Sequence, residues 1–145
     1  MKVFVAASEE ARSLKEVLCS WIASQGIEVE DLTKEKMTFF DASQAVVKEV
    51  LKKKDEDRGI ILDETGAGAF MCASKYNGII CAQLNDEHSA KMTRDHNNAN
   101  VITMGCRVVG SAVAIGIAER FLRGKYSAGR HKIRIDMLDR MGEKS

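Results

Sequence analysis

A chain of 145 residues, 45 % hydrophobic and 30 % charged, has the length and composition of one globular domain with its own core, residues 1–145. A net charge of +1 gives no field to draw it to nucleic acid or an anionic membrane, and no apolar run approaches the roughly 20 residues of a membrane span. The N-terminus turns charged too early for a signal peptide. The scattered Cys19, Cys72, Cys81 and Cys106 lack metal-ligand spacing, which excludes a structural zinc and leaves free thiols of a reducing cytoplasm.

Val3–Ala6 reads as a first strand. Leu14, Val17, Leu18, Trp21 and Ile22 then recur at helical spacing, and Gly26 stands where a helix C-terminus needs a left-handed residue. Ile27–Leu32 is a second strand. Asp41 is placed to cap a helix that buries Ala42, Ala45, Val46 and Val50 and ends in the charged run KKKDEDR. Gly59–Leu62 is a third strand, continuously apolar as strands covered on both faces are. A short helix over Ala69–Tyr76 leads to a fourth strand, Ile79–Leu84. Asp86 caps a helix running to His96, and Val101–Met104 is the fifth strand. Ala114, Ile117, Ala118, Phe121 and Leu122 mark another helix, and a last one runs from Arg130 to Met141. Its apolar stripe of Ile133, Met137, Leu138 and Met141 suits packing on a neighbouring subunit. Alternating strands and helices predict an α/β fold: a Rossmann-like, doubly wound, parallel five-stranded sheet with helices on both faces. Right-handed crossovers gather the strand-to-helix loops at one edge, where ligands of such folds bind.

Three segments carry chemistry. In LDETGAGAF, Gly66 and Gly68 follow the third strand and let backbone amides approach an oxyanion, although a tight turn explains them equally well. GxGxxG fails here, because Met71 stands at its third glycine. In TRDHNNAN, His96 ends a helix, where the partial negative charge favours a protonated imidazole; it reads either as an acid or as a cap. In GRHKIR, Arg130 and Arg134 lie four apart near a helix N-terminus, where their charge opposes the helix dipole, so an anionic ligand explains them better than stability does. His88 and His131 read as surface residues.

Taken in order, GAG after the third strand, HNxxN, GCRVVG and YxxGRHxxR resemble the ribose-5-phosphate isomerase B and galactose-6-phosphate isomerase family across nearly the whole chain. The resemblance implies metal-free, cofactor-free aldose–ketose isomerisation of a sugar phosphate through a cis-enediolate. It would make His96 the ring-opening residue and Asn97 a sugar ligand. Arg130 and Arg134 would grip the phosphate with help from Arg107, and Thr65, Gly66 and Gly68 would belong to the enediolate loop. Departures are concentrated in one half. Where catalytic members carry a basic cysteine this chain has Asp63, and Glu64 replaces the glycine after it. Ser8-Glu9 stands for an Asp-His pair, and Thr38 for an aromatic residue.

Sites in this family lie between subunits, one giving the cysteine loop and the other the histidine–arginine half. A chain intact in only one half therefore implies a hetero-oligomer with a homologous, cysteine-bearing B-type subunit, beside self-association. The galactose-6-phosphate branch, which makes tagatose 6-phosphate, is built in this way. Two alternatives stand beside it: a homo-oligomeric isomerase using Asp63 or Glu64 as base, and a non-catalytic sugar-phosphate-binding subunit.

Overall fold

A computed structural model of the chain describes residues 1–143. Five strands, β1 (Lys2–Ala7), β2 (Glu28–Asp31), β3 (Arg58–Asp63), β4 (Cys81–Gln83) and β5 (Val101–Gly105), form one sheet in the order β2-β1-β3-β5-β4. Every neighbouring pair is parallel, with Val5 opposite Ile60 and Ile60 opposite Ile102 at the centre. The helices are α1 (Arg12–Ser24), α2 (Phe39–Lys52), α3 (Ala67–Ala73), α4 (Glu87–Asn97), α5 (Ser111–Arg123) and α6 (Lys132–Glu143).

The sheet is covered on both faces. On one, Val3, Val5, Ile60, Leu62, Ile102 and Met104 meet Leu14, Leu18 and Ile22 of α1, Ala90 of α4, and Ile117 and Phe121 of α5. On the other, Phe4, Ala6, Ile61 and Val101 meet Val46, Val47 and Val50 of α2 with Ala69 and Ala73 of α3. Successive strand residues point to opposite faces, so β1, β3 and β5 must be apolar at consecutive positions, as their sequences are. The edge strands are shorter than their sequence signals: β2 retains Glu28–Asp31 and β4 only Cys81–Gln83. No helix among the described residues is long and apolar enough to cross a membrane.

Three helix starts differ from expectation, each for a local reason. Helix α2 is capped by Thr38, not Asp41. The Thr38 hydroxyl accepts from the Asp41 N–H at 3.2 Å, and the Thr38 N–H donates to the Asp41 carboxylate at 3.3 Å, a reciprocal capping box. Helix α3 starts at Ala67, two residues before the expected Ala69, because Gly66 adopts φ 83° and turns the chain into it. The last α-helix starts at Lys132, so Arg130 sits in a preceding 3-10 turn, Gly129–His131, and only Arg134 lies in the α-helical first turn.

Candidate functional site

The β3–α3 loop lies at the carboxyl edge of the sheet, where its amides could hold an anion. The chain fills that position itself. Asp63, 5 % exposed, accepts the Gly66 N–H through one carboxylate oxygen and the Ala69 N–H, at 3.0 Å, through the other. Its carboxylate therefore neutralises the positive end of α3 and ties the loop down. The rest of the loop is equally committed. The Thr65 hydroxyl accepts from the Ala67 N–H at 3.3 Å, the Thr65 carbonyl accepts from Gln83 Nε2 at 2.9 Å, and the Gly66 carbonyl accepts from the buried Thr103 hydroxyl at 2.7 Å. Any side chain at Gly105 would strike the Thr65 backbone, so β5 presses directly on the loop.

Beside the loop is a cleft of about 490 Å³, lined by Ser8, Glu9, Glu10, Lys36, Thr38, Phe39, Glu64 and Gly68 among others. Phe39 packs over Gly68: a Cβ there would lie 3.0 Å from the ring. An aromatic side chain thus stands one position beyond Thr38. Glu64 pairs with Arg107 at 3.4 Å, which puts Arg107 on this side of the molecule, beside the loop. The cleft carries several carboxylates and is a poor receiver for a phosphate.

A second cluster is built at the far end of α4. The helix begins as expected, with the Asp86 carboxylate accepting the Ser89 N–H at 2.7 Å, and ends with Asn98 in the left-handed region at φ 55°. His96 and Asn97 are its last two residues. The remaining asparagines of TRDHNNAN are structural. Asn98 accepts from Arg94, and Asn100 accepts the Ile80 N–H at 2.9 Å while donating to the Gly78 carbonyl at 2.9 Å. Asn97 is left exposed beside His96.

Segment 124–129 returns to this helix end, where the Asp95 carbonyl accepts the Ser127 N–H at 2.9 Å and the Ser127 hydroxyl at 3.0 Å. Ala128 (φ 51°) and Gly129 (φ 53°) then turn the chain sharply. A non-glycine residue in that region costs roughly 1–3 kcal/mol, so the turn is held by its surroundings. Its effect is to lay His131 on His96: the rings stack with centroids 4.1 Å apart and planes 14° from parallel. The reading of His131 as a surface residue was incomplete. It is half-buried and central to the cluster. The missed signal was the proximity of α4's end to the 124–129 segment, a contact across more than thirty residues that periodicity does not encode.

Arg134 Nη2 lies 3.1 Å from His131 Nδ1. A guanidinium only donates, so this contact is a hydrogen bond in the neutral Nε2–H tautomer of His131. Its pKa is accordingly below the ordinary imidazole value, through desolvation first and then the charges of His96, Arg130 and Arg134. Arg134 and the two imidazoles thus converge, the charge of the adjacent Arg130 is felt at His131, and no carboxylate enters the ion pairs or hydrogen bonds of these four side chains among the described residues. Next to them Ile133, Met137, Leu138 and Met141 are each at least half exposed. All four cysteines are free thiols, and no metal-holding group of His, Cys, Asp or Glu occurs among the described residues.

A parallel α/β domain with a cleft beside the strand-to-helix loops at the carboxyl edge of its sheet has the architecture of folds that bind small molecules there. The particular kinship is settled by comparison: the ribose/galactose isomerase family model matches residues 3–138, and the chain belongs to that family. It is 44 % identical over 141 residues to the galactose-6-phosphate isomerase subunit LacA of Clostridium acetobutylicum, covering 97 % of this chain and 99 % of the relative. The subunit of the same name from Lactococcus lactis subsp. lactis is also 44 % identical over the same spans. Among solved structures, ribose-5-phosphate isomerase B from Mycoplasma genitalium, with bound ribulose-5-phosphate, superposes with a TM-score of 0.94 at 30 % identity, covering 99 % of this chain and 97 % of that one. The Clostridium thermocellum enzyme gives 0.93, also at 30 % identity, covering 99 % of each chain.

Proposed function

We propose that this chain is the subunit without the catalytic loop cysteine, Asp63 standing in its place, of a hetero-oligomeric galactose-6-phosphate isomerase, an aldose–ketose isomerase that makes tagatose 6-phosphate. Relatives of that name along nearly the whole chain support the substrate. One observation carries the division of labour: among the described residues no carboxylate is bonded to the cationic cluster, whereas Asp63 occupies the amide cradle of the β3–α3 loop.

In this reading Arg130 and Arg134 hold the phosphate dianion by charge-assisted hydrogen bonds. His96 gives a proton to the ring oxygen as the C1–O5 bond breaks and the C1 hydroxyl proton leaves, and Asn97 hydrogen-bonds the open-chain hydroxyls. A base supplied by the partner subunit removes the C2 proton, leaving a cis-enediolate, and returns it to C1, while the C2 hydroxyl proton passes to O1 so that C2 becomes the carbonyl. Asp63 is buried and both its oxygens are fastened to backbone N–H groups of its own loop, which does not suit it to reach a substrate carbon. Thr65, Gly66 and Gly68 shape the closed loop, and Arg107 steadies Glu64 beside it. The exposed stripe on α6 is the surface for subunit packing.

The test is turnover of galactose 6-phosphate by the purified chain alone, by its cysteine-bearing homologue alone, and by the two together. Activity only in the mixture is expected. Full turnover by this chain alone would overturn the proposal.

A further inference from the structure

The His96–Asn97 motif stands on a residue that plays no part in binding. Arg94 is 5 % exposed, although it lies in the last turn of a surface helix. Its Nη1 donates to the Ala99 carbonyl at 2.6 Å and its Nη2 to the Asn98 side-chain oxygen at 2.7 Å. Its Nε has no hydrogen-bond partner among the described residues. Burial, with the charge of Arg58 nearby, pulls its pKa down to about 10, so it stays cationic at neutral pH under a desolvation penalty. Ending a helix does not require this: a left-handed residue with backbone hydrogen bonds suffices. The buried fork delivers something more specific, a fixed geometry for the two residues directly after His96 and Asn97.

The other side of Arg94 faces segment 124–129. A Cβ at Gly124 would lie 2.8 Å from Arg94 Cγ and 2.9 Å from the Asp95 carboxylate. Only glycine lets this segment lie so close, and Ser127 then fastens it to the Asp95 carbonyl. The same segment leads through the strained turn into Arg130 and His131. Both halves of the stacked imidazole pair therefore adjoin one buried arginine, the His96 side through its guanidinium and segment 124–129 through its methylene stem.

We infer that Arg94 is a positioning residue, which sets the His96–His131 pair from beneath without touching substrate. The inference rests on the function proposed above for His96. It is tested in the two-subunit complex with Arg94→Lys, whose single ammonium cannot span both acceptors, and with Asn98→Gly, which tolerates the left-handed backbone but removes one acceptor. Expected is a fall in kcat of roughly tenfold or more for folded, assembled enzyme, with inhibition by sulfate changed by no more than about twofold. In the isolated chain, ring-proton NMR signals of His96 and His131 should move toward their unstacked positions. Arg94→Met should be more severe, with Arg94→Lys partly restoring it. If Arg94→Met does not assemble, the two milder variants decide. Wild-type kcat in both, or a loss confined to KM, would overturn the inference. Should the wild-type complex lack isomerase activity, the proposed function falls, and the NMR signals alone decide whether Arg94 braces the pair.

Discussion

The amino-terminal end of α3 and the carboxyl-terminal end of α4 handle charge in opposite ways. At α3 the helix amides attract an anion, and the chain provides one in Asp63, so the site is electrostatically complete without a ligand. At the end of α4 the chain brings Arg134 and His131 to His96, with Arg130 next to His131, and sets no carboxylate in ion-pair or hydrogen-bond contact with these four side chains among the described residues. Helix ends are anion sites or cation sites by geometry, but occupancy decides whether they serve stability or binding. One end has been given to the fold, and in the function proposed above the other is given to a ligand.

Breaking the open end should give the largest effect. Arg130→Ala and Arg134→Ala together should weaken sulfate or sugar-phosphate binding by two charge-assisted contacts, each worth about 1.5–3 kcal/mol. Isothermal titration or competitive inhibition measures it, and unchanged affinity would place the anion elsewhere. The closed end should respond in stability instead. Asp63→Asn turns one acceptor into a donor facing an amide, so urea unfolding should show a loss of about 1–3 kcal/mol, while turnover per folded complex stays near wild type. A stable but inactive Asp63→Asn complex would reverse the roles assigned to the two ends.

A pH series sharpens the comparison. Because the folded pKa of His131 is depressed, the ligand-free cluster holds this imidazole neutral into the range where an ordinary histidine is protonated. An anion in the cluster raises that pKa, so binding takes up a proton and tightens as pH falls, by at most about tenfold per pH unit for one linked proton. Sulfate is the suitable probe, since it does not titrate there, and His131→Asn should flatten the dependence. The sign for stability is the reverse. A depressed folded pKa means stability is lost as pH falls below the ordinary imidazole value toward the folded one. The smallest effect is expected for Glu64→Gln, which breaks an exposed pair with Arg107 and should change stability by no more than about 1 kcal/mol.

The parallel sheet was legible because β1, β3 and β5 are buried on both faces and announce themselves as consecutive apolar residues. The ends of α1 and the start of α4 were legible from single residues, Gly26 and Asp86, whose chemistry is local. Thr38 was missed because its capping box closes on Asp41, the residue that looked like the cap itself. Asp63 could have been read further: an acid at a strand end, three residues before a glycine that opens a helix, has the spacing to cap that helix. His131 could not, since its place depends on where segment 124–129 returns. Local hydrogen bonds are written in short spacings, and stacked rings across a fold are not.

Strand β2 has a consequence for how copies of this chain can meet. It is a sheet edge, mostly exposed, and bears Glu28, Glu30 and Asp31, with Lys2 and Lys15 of the same chain already drawn to them. A second copy adding its own β2 there would set carboxylates against carboxylates, and β4 at the opposite edge offers only three residues to pair with. Growth of the sheet from chain to chain is thereby discouraged at both margins. Any association is steered away from strand pairing and toward helical surfaces.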